Sequence, residues 1–174
     1  MLKPLKIRDF TFNWKELPYL MGIINVTPDS FSDGGEAETV EKALEKAKHL
    51  LDSGAHILDI GGESTRPFSE PVPEEIEIKR VIPVIKAIRE TFPEAIISVD
   101  TYKAKVAELA LENGADLVND ISGCQFDNNM VNVIKDFQCP VVIMHIKGTP
   151  KTMQINPQYD DVIKEIKNYF YERL

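Results

Sequence analysis

An α/β fold of the (β/α)8 barrel type, with about five βα units present, is predicted by three observations. Apolar runs recur at Tyr19–Asn25, His56–Ile60, Ala95–Asp100, Asp116–Asn119 and Pro140–His145, each followed by a segment with helical spacing. These runs are apolar at nearly every residue, the mark of strands covered on both faces of an all-parallel sheet. The third observation is an internal echo. Leu51-Asp52-Ser53-Gly54-Ala55-His56-Ile57-Leu58-Asp59 aligns with Leu111-Glu112-Asn113-Gly114-Ala115-Asp116-Leu117-Val118-Asn119 at an offset of 60 positions, which is two units of about 30 residues. An open doubly wound sheet fits the same pattern. No Gly-rich nucleotide fingerprint follows any strand, however, and this favours the barrel.

The first strand leads from Met21 through Asn25 into a polar loop ending at Gly34-Gly35. That connection runs about ten residues where roughly 2 to 6 is usual, and excess length there points to function. Helix one carries Val40, Ala43, Leu44, Ala47 and Leu51 on one stripe, the 3.6-residue period of a helix packed on a core. Helix two starts at Pro73 with Glu74 and Glu75 in its first turn, where acidic side chains meet the positive end of the helix. It should bury Ile78, Val81, Ile82, Ile85 and Ile88 and kink at Pro83. Helix three follows Asp100-Thr101 almost at once, buries Val106, Leu109 and Ala110, and ends at Asn113-Gly114 in a left-handed cap. Helices near Met130–Phe137 and Asp161–Tyr169 complete the set.

Composition limits the partners. The 174 residues hold 20 Lys and Arg against 28 Asp and Glu, a net charge of -8, which argues against nucleic acid and leaves any anion to a local cationic site. The longest apolar runs, such as Val141–Met144, fall far short of the ~18 residues of a membrane span. The first ten residues carry no signal-peptide pattern. A cytoplasmic protein is expected, with no membrane partner. Cys124 and Cys139 lack metal-ligand spacing and are expected to be reduced thiols without a role.

Polar residues gather at the C-terminal ends of the predicted strands, the edge where both candidate architectures place their sites. In loop two, from Gly61 to Val72, Thr65 and Arg66 stand among Pro67, Pro71 and Pro73. Arg66 there is either an anion clamp, its guanidinium fork matching phosphate or carboxylate oxygens, or a surface residue paired with Glu63 or Glu70. Asp100 either caps helix three or faces a nitrogen heterocycle whose N–H groups it accepts. Asn119, donor and acceptor at once, is its natural companion. Phe31 either packs loop one down or closes over an aromatic substrate. Met144 reads by default as core, and His145 as a hydrogen-bonded structural histidine.

The segments Asn25-Val26-Thr27-Pro28-Asp29-Ser30-Phe31-Ser32-Asp33-Gly34-Gly35 and Gly61-Gly62-Glu63-Ser64-Thr65-Arg66-Pro67 closely resemble the two signature segments of the dihydropteroate synthase family. Ser98-Val99-Asp100-Thr101, Asn119-Asp120-Ile121-Ser122-Gly123 and the run from Met144 to Gln154 are similar to further family segments in the same order. The resemblance spans residues 18 to 160. It implies a single pterin-binding barrel domain over residues 1–174 whose C-terminal βα units are missing. The implied transferase reaction belongs to folate biosynthesis and is the target of sulfonamides. It joins 6-hydroxymethyl-7,8-dihydropterin pyrophosphate to p-aminobenzoate, releasing pyrophosphate and forming 7,8-dihydropteroate.

By the same resemblance, Asn25 would ligate Mg2+ on the pyrophosphate. Asp33, Thr65 and Arg66 would order the two loops, with Asp33, Arg66 and Asp100 as the catalytic set. Asp100 and Asn119 would hold the pterin between Ile121 and Met144, and Phe31 and Pro67 would shape the p-aminobenzoate site. A homodimer is implied for the full-length parent. Phe68 stands where the family has a small residue, often Gly, and would stiffen loop two or alter its cover over p-aminobenzoate. The family's later segments have no counterpart here: an Asp-Pro-Gly strand, a following Lys, and a closing Ser-Arg and His. Two alternatives are therefore weighed, a truncated non-catalytic half-barrel that binds ligand weakly and a pterin-binding methyltransferase domain.

Overall fold

The computed structural model describes residues 3–15, 18–27, 36–64 and 69–174. It opens with a short antiparallel hairpin, β1 (Leu5–Ile7) and β2 (Phe10–Phe12), which the apolar pattern did not signal. Then βα units alternate: β3 (Met21–Asn25), α1 (Glu36–Asp52), β4 (Ile57–Gly61), α2 (Glu74–Thr91), β5 (Ile96–Asp100), α3 (Ala104–Glu112), β6 (Leu117–Asp120), α4 (Met130–Phe137), β7 (Val141–Ile143) and α5 (Val162–Tyr171). The last five strands form one parallel sheet in the order β3-β4-β5-β6-β7. Sequential order with every crossover carrying a helix is the wall of a (β/α)8 barrel. Among the described residues β3 and β7 are paired on one side only.

Strand alternation sorts the side chains. Ile24, Leu58, Ile60, Ile97, Val99 and Val118 are fully or almost fully buried against Ala43 and Ala47 of α1, Val81, Val84, Ile85 and Ile88 of α2, and Val106 and Ala110 of α3. The alternate residues face the inner side of the sheet, where Ile23 is 55% and Val142 42% exposed. The hairpin closes the N-terminal end of that inner side, with Ile7 and Phe12 packing on Ile96 and Leu117.

Helix two differs in detail from its predicted stripe. Val84 and Glu77 are buried, while Ile78 and Ile82 are only partly so. The chain runs helically through Pro83. In α3, Ala104 and Ala107 join Val106 and Ala110 in the core, and Leu109 is only partly buried. The echo has a backbone cause, since Gly54 and Gly114 end their helices at φ 93° and 109°. This is the left-handed cap that turns each helix into the next strand. No described helix is long and apolar enough to cross a membrane.

Candidate functional site

The parallel ladders align four strand ends in one row, pairing Asn25 with Gly61, Gly61 with Asp100, and Asp100 with Asn119. One pleat below, on the same inner face, Asp59 pairs with Ser98. Neither Asp59 nor Ser98 is among the candidates drawn from the sequence, although a polar residue at an inward position of an otherwise apolar strand marks each of them. Asp59 is also the partner of Asn119 in the internal echo.

These side chains form a polar patch inside an apolar wall. Asn119 Nδ2 donates to Asp59 Oδ2 at 3.0 Å. Asp59 Oδ1, Ser98 Oγ and Asp100 Oδ1 are buried yet have no partner within hydrogen-bond distance among the described residues. Buried polar atoms are nearly always paired, so three orphans on adjacent strands ask for an outside partner. All three accept hydrogen bonds, so a ligand offering N–H groups suits them.

Electrostatics set the same patch apart. Burial raises the Asp59 pKa, and the neighbouring Ser98 and Asn119 only partly restore it. Asp100 is pushed up to about 7, first by burial and then by the negative charges of Asp59, Glu77, Asp120 and Glu63. It is thus poised to hold or release a proton near neutrality.

Asp100 does not cap α3. That helix begins at Ala104, whose N–H donates to Asp127 Oδ2 at 2.8 Å, and Lys103 N donates to Thr101 Oγ1 at 3.2 Å. With the helix end satisfied by others, the Asp100 carboxyl is left to the inner face.

The two glycines of loop two serve different contacts. A Cβ on Gly61 would sit 3.4 Å from both Cβ and Oδ2 of Asp100, so glycine keeps open the space beside that carboxyl. A Cβ on Gly62 would meet Val81 Cγ1 at 2.8 Å and Glu77 Cγ at 3.0 Å, so the chain can approach α2 only as glycine.

Beyond β6, Asp120 Oδ1 accepts Ser122 N–H at 2.7 Å and Oδ2 accepts Cys124 N–H at 3.0 Å. That turn fixes the buried Ile121. Met144 is not core but 37% exposed, beside the inner face after β7. Its backbone is pinned, the N–H donating to Asp120 O at 3.2 Å and the carbonyl accepting Tyr169 OH at 2.9 Å. His145 packs its ring against Tyr169, the centroids 4.7 Å apart. Burial leads the rise of the Cys124 thiol to about 11 and also raises Cys139, so neither is a reactive thiolate.

Phe31, Asp33, Thr65, Arg66, Pro67 and Phe68 lie outside the described residues. The two carboxylates considered as surface partners of Arg66 have other cations: Glu63 pairs with Lys103 and Glu70 with Lys151, each at 2.5 Å. Among the described residues no group of three or more His, Cys, Asp or Glu could hold a metal ion. Asn25, partly buried at the strand end, makes no hydrogen bond with a described side chain.

The family model described as pterin binding enzyme matches residues 21–174. A dihydropteroate synthase of Synechocystis is 46% identical over 96% of this chain and 57% of its own length. The structure of the Yersinia pestis dihydropteroate synthase with a sulfonamide drug superposes with a TM-score of 0.88 at 42% identity, covering 98% of this chain and 61% of that one. The Xanthomonas albilineans dihydropteroate synthase in complex with 7,8-dihydropteroate gives a TM-score of 0.80 at 37% identity, over 98% of this chain and 58% of that one. The chain therefore spans somewhat more than half the length of the proteins it matches.

Proposed function

Because this chain belongs to the pterin binding enzyme family, we propose that it forms the pterin-holding wall of a dihydropteroate synthase. The complete enzyme would join 6-hydroxymethyl-7,8-dihydropterin pyrophosphate to p-aminobenzoate. One observation carries the reading: the buried oxygens Asp59 Oδ1, Ser98 Oγ and Asp100 Oδ1 have no partner within hydrogen-bond distance among the described residues. A pterin ring presents ring and amino N–H groups that would meet them, while Asn119 both donates and accepts. A methyl donor without a pyrophosphate gives Asn25 and Arg66 nothing to hold, which favours the synthase over a methyltransferase domain.

The chemistry follows from that placement. The C–O bond to the pyrophosphate breaks, both electrons leaving with the anion, and positive charge develops on the pterin methylene carbon. Asp100 in its ionised form stabilises that charge from a site that is mostly dry, where a fixed charge counts for more than in water. The amine of p-aminobenzoate then forms the C–N bond and gives up a proton. Arg66, with Thr65 and Asp33, would hold the departing anion. Ile121 and Met144 would flank the ring, and Phe31 and Pro67 would border p-aminobenzoate.

The donor set fits Mg2+ in one way only. Asn25 offers a single neutral oxygen at the mouth, so substrate phosphate oxygens and water would fill the other positions, as this ion prefers. When bound there, Mg2+ would offset the charge of the leaving pyrophosphate.

The rest of the barrel wall is proposed to come from the part of the relatives' length that this chain does not span. On the resemblance, the complete protein is proposed to be a cytoplasmic homodimer, which light scattering on the purified enzyme tests for assembly. The functional test is steady-state formation of 7,8-dihydropteroate by the complete protein with both substrates and Mg2+. Turnover that survives Asp100→Ala, or no turnover in the wild type, would overturn the reading.

A further inference from the structure

The β4–β5 ladder ends at the pair Gly61 and Asp100. Beyond it, among the described residues, no ladder pairs join the segment after β4 to the segment after β5. Side chains take over at that point. Lys103 Nζ donates to Glu63 Oε2 at 2.5 Å and also to Glu77 Oε2 on α2. Glu63 Oε1 accepts Tyr102 OH at 2.8 Å, and Glu63 Oε2 accepts Val72 N–H at 3.0 Å. Glu63 thus ties the start of the connection after β4 to its own end and to the turn that follows Asp100.

The three charged side chains are 6%, 1% and 14% exposed for Glu63, Glu77 and Lys103. Burial raises the Glu77 pKa, and although burial works against the Lys103 charge, the two carboxylates outweigh it. Removing such charges from water is costly, and apolar side chains of similar volume often stabilise a core as well or better. Stability is therefore a poor account of the cluster. Apolar packing, however, cannot fix direction and spacing as hydrogen bonds to three separate segments do.

We propose that Glu63, Lys103 and Glu77 are positioning residues for Asp100. They carry the register of β4 and β5 past the end of the ladder and hold the strand end bearing the Asp100 carboxyl in its binding geometry. This rests on the reading of Asp100 as a pterin ligand.

The test uses steady-state kinetics of the complete enzyme. Glu63→Gln keeps the volume while losing the charge and one acceptor. The triple variant Glu63→Gln/Lys103→Met/Glu77→Met replaces all three charges by neutral chains of similar length, which leaves no buried charge unpaired and guards against failure to fold. In both, the KM for the pterin pyrophosphate should rise about tenfold or more, while that for p-aminobenzoate moves less than about twofold, since small misplacements of a positioned group have effects of that order. Asp100→Ala, read by calorimetric titration with the pterin pyrophosphate because its turnover should be lost, is the control. If it leaves that affinity unchanged, the assignment of Asp100 as a pterin ligand fails. If it weakens that affinity while both triad variants keep wild-type KM values, or raise KM for both substrates in parallel, the triad is merely structural and the inference fails.

Discussion

Asn119 and Asp59, 60 positions apart, are hydrogen-bonded to each other at 3.0 Å across the face of the intervening strand β5. They are also the matching last residues of the internal echo, so the two repeats meet at the site. The bond fixes the Asn119 amide and lowers the cost of the Asp59 charge, leaving Oδ1 for a ligand. Asp59→Ala should therefore weaken pterin binding by at least about tenfold, the cost of one charge-assisted hydrogen bond. Isothermal titration of the complete enzyme with a pterin checks this, and unchanged affinity would place Asp59 outside the site.

Asp100 links the site to pH. Its folded pKa of about 7 lies above the ordinary carboxyl value of 3.8, so across that window the native state keeps a proton that the unfolded chain has lost. Stability then falls as pH rises through the window and stays lower above it. Asp59 and Glu77, also raised by burial, act in the same direction. Asp100→Asn should accordingly raise the Tm of the ligand-free enzyme at pH 8 more than at pH 4. Equal gains at both values, read by calorimetry, would contradict the raised pKa.

Arg66→Lys keeps the charge but loses the planar fork. Loss of one bidentate arm should raise the pyrophosphate Kd about tenfold or more. Turnover and affinity at wild-type levels would return Arg66 to the role of a surface residue.

The adjacent glycines should separate stability from binding. Gly62→Ala forces a Cβ to 2.8 Å from Val81 Cγ1, and overpacking of this kind costs about 1 to 3 kcal/mol. Gly61→Ala meets Asp100 at an ordinary 3.4 Å. It should lower the Tm less, but reduce pterin affinity by filling the space beside the carboxyl. Chemical denaturation paired with titration distinguishes the two, and a reversal of the order would refute the assignment.

The stretch of 174 residues tested alone, its intact mass verified, should show no turnover. Its apolar inner face is open at Ile23 and Val142, whereas the reaction needs a walled, largely dry site. Robust formation of 7,8-dihydropteroate by that stretch would show that the remaining wall is dispensable.

The sequence by itself determined the alternation of strands and helices, because strands apolar at nearly every residue and helices with one apolar stripe leave distinct periods. It also placed Asn25, Asp100 and Asn119 at strand ends, since polar residues closing apolar runs stand out. The tertiary structure alone decided that these ends share one row, because register arises from pairing between distant segments. It decided too that Asp100 is no helix cap, as Asp127 and Thr101 satisfy the donors at the start of α3. Asp59, Ser98 and the Glu63–Lys103–Glu77 triad are single polar residues whose meaning depends on what lies across the sheet. Local pattern carries no record of such neighbours, so only the folded chain brings them together.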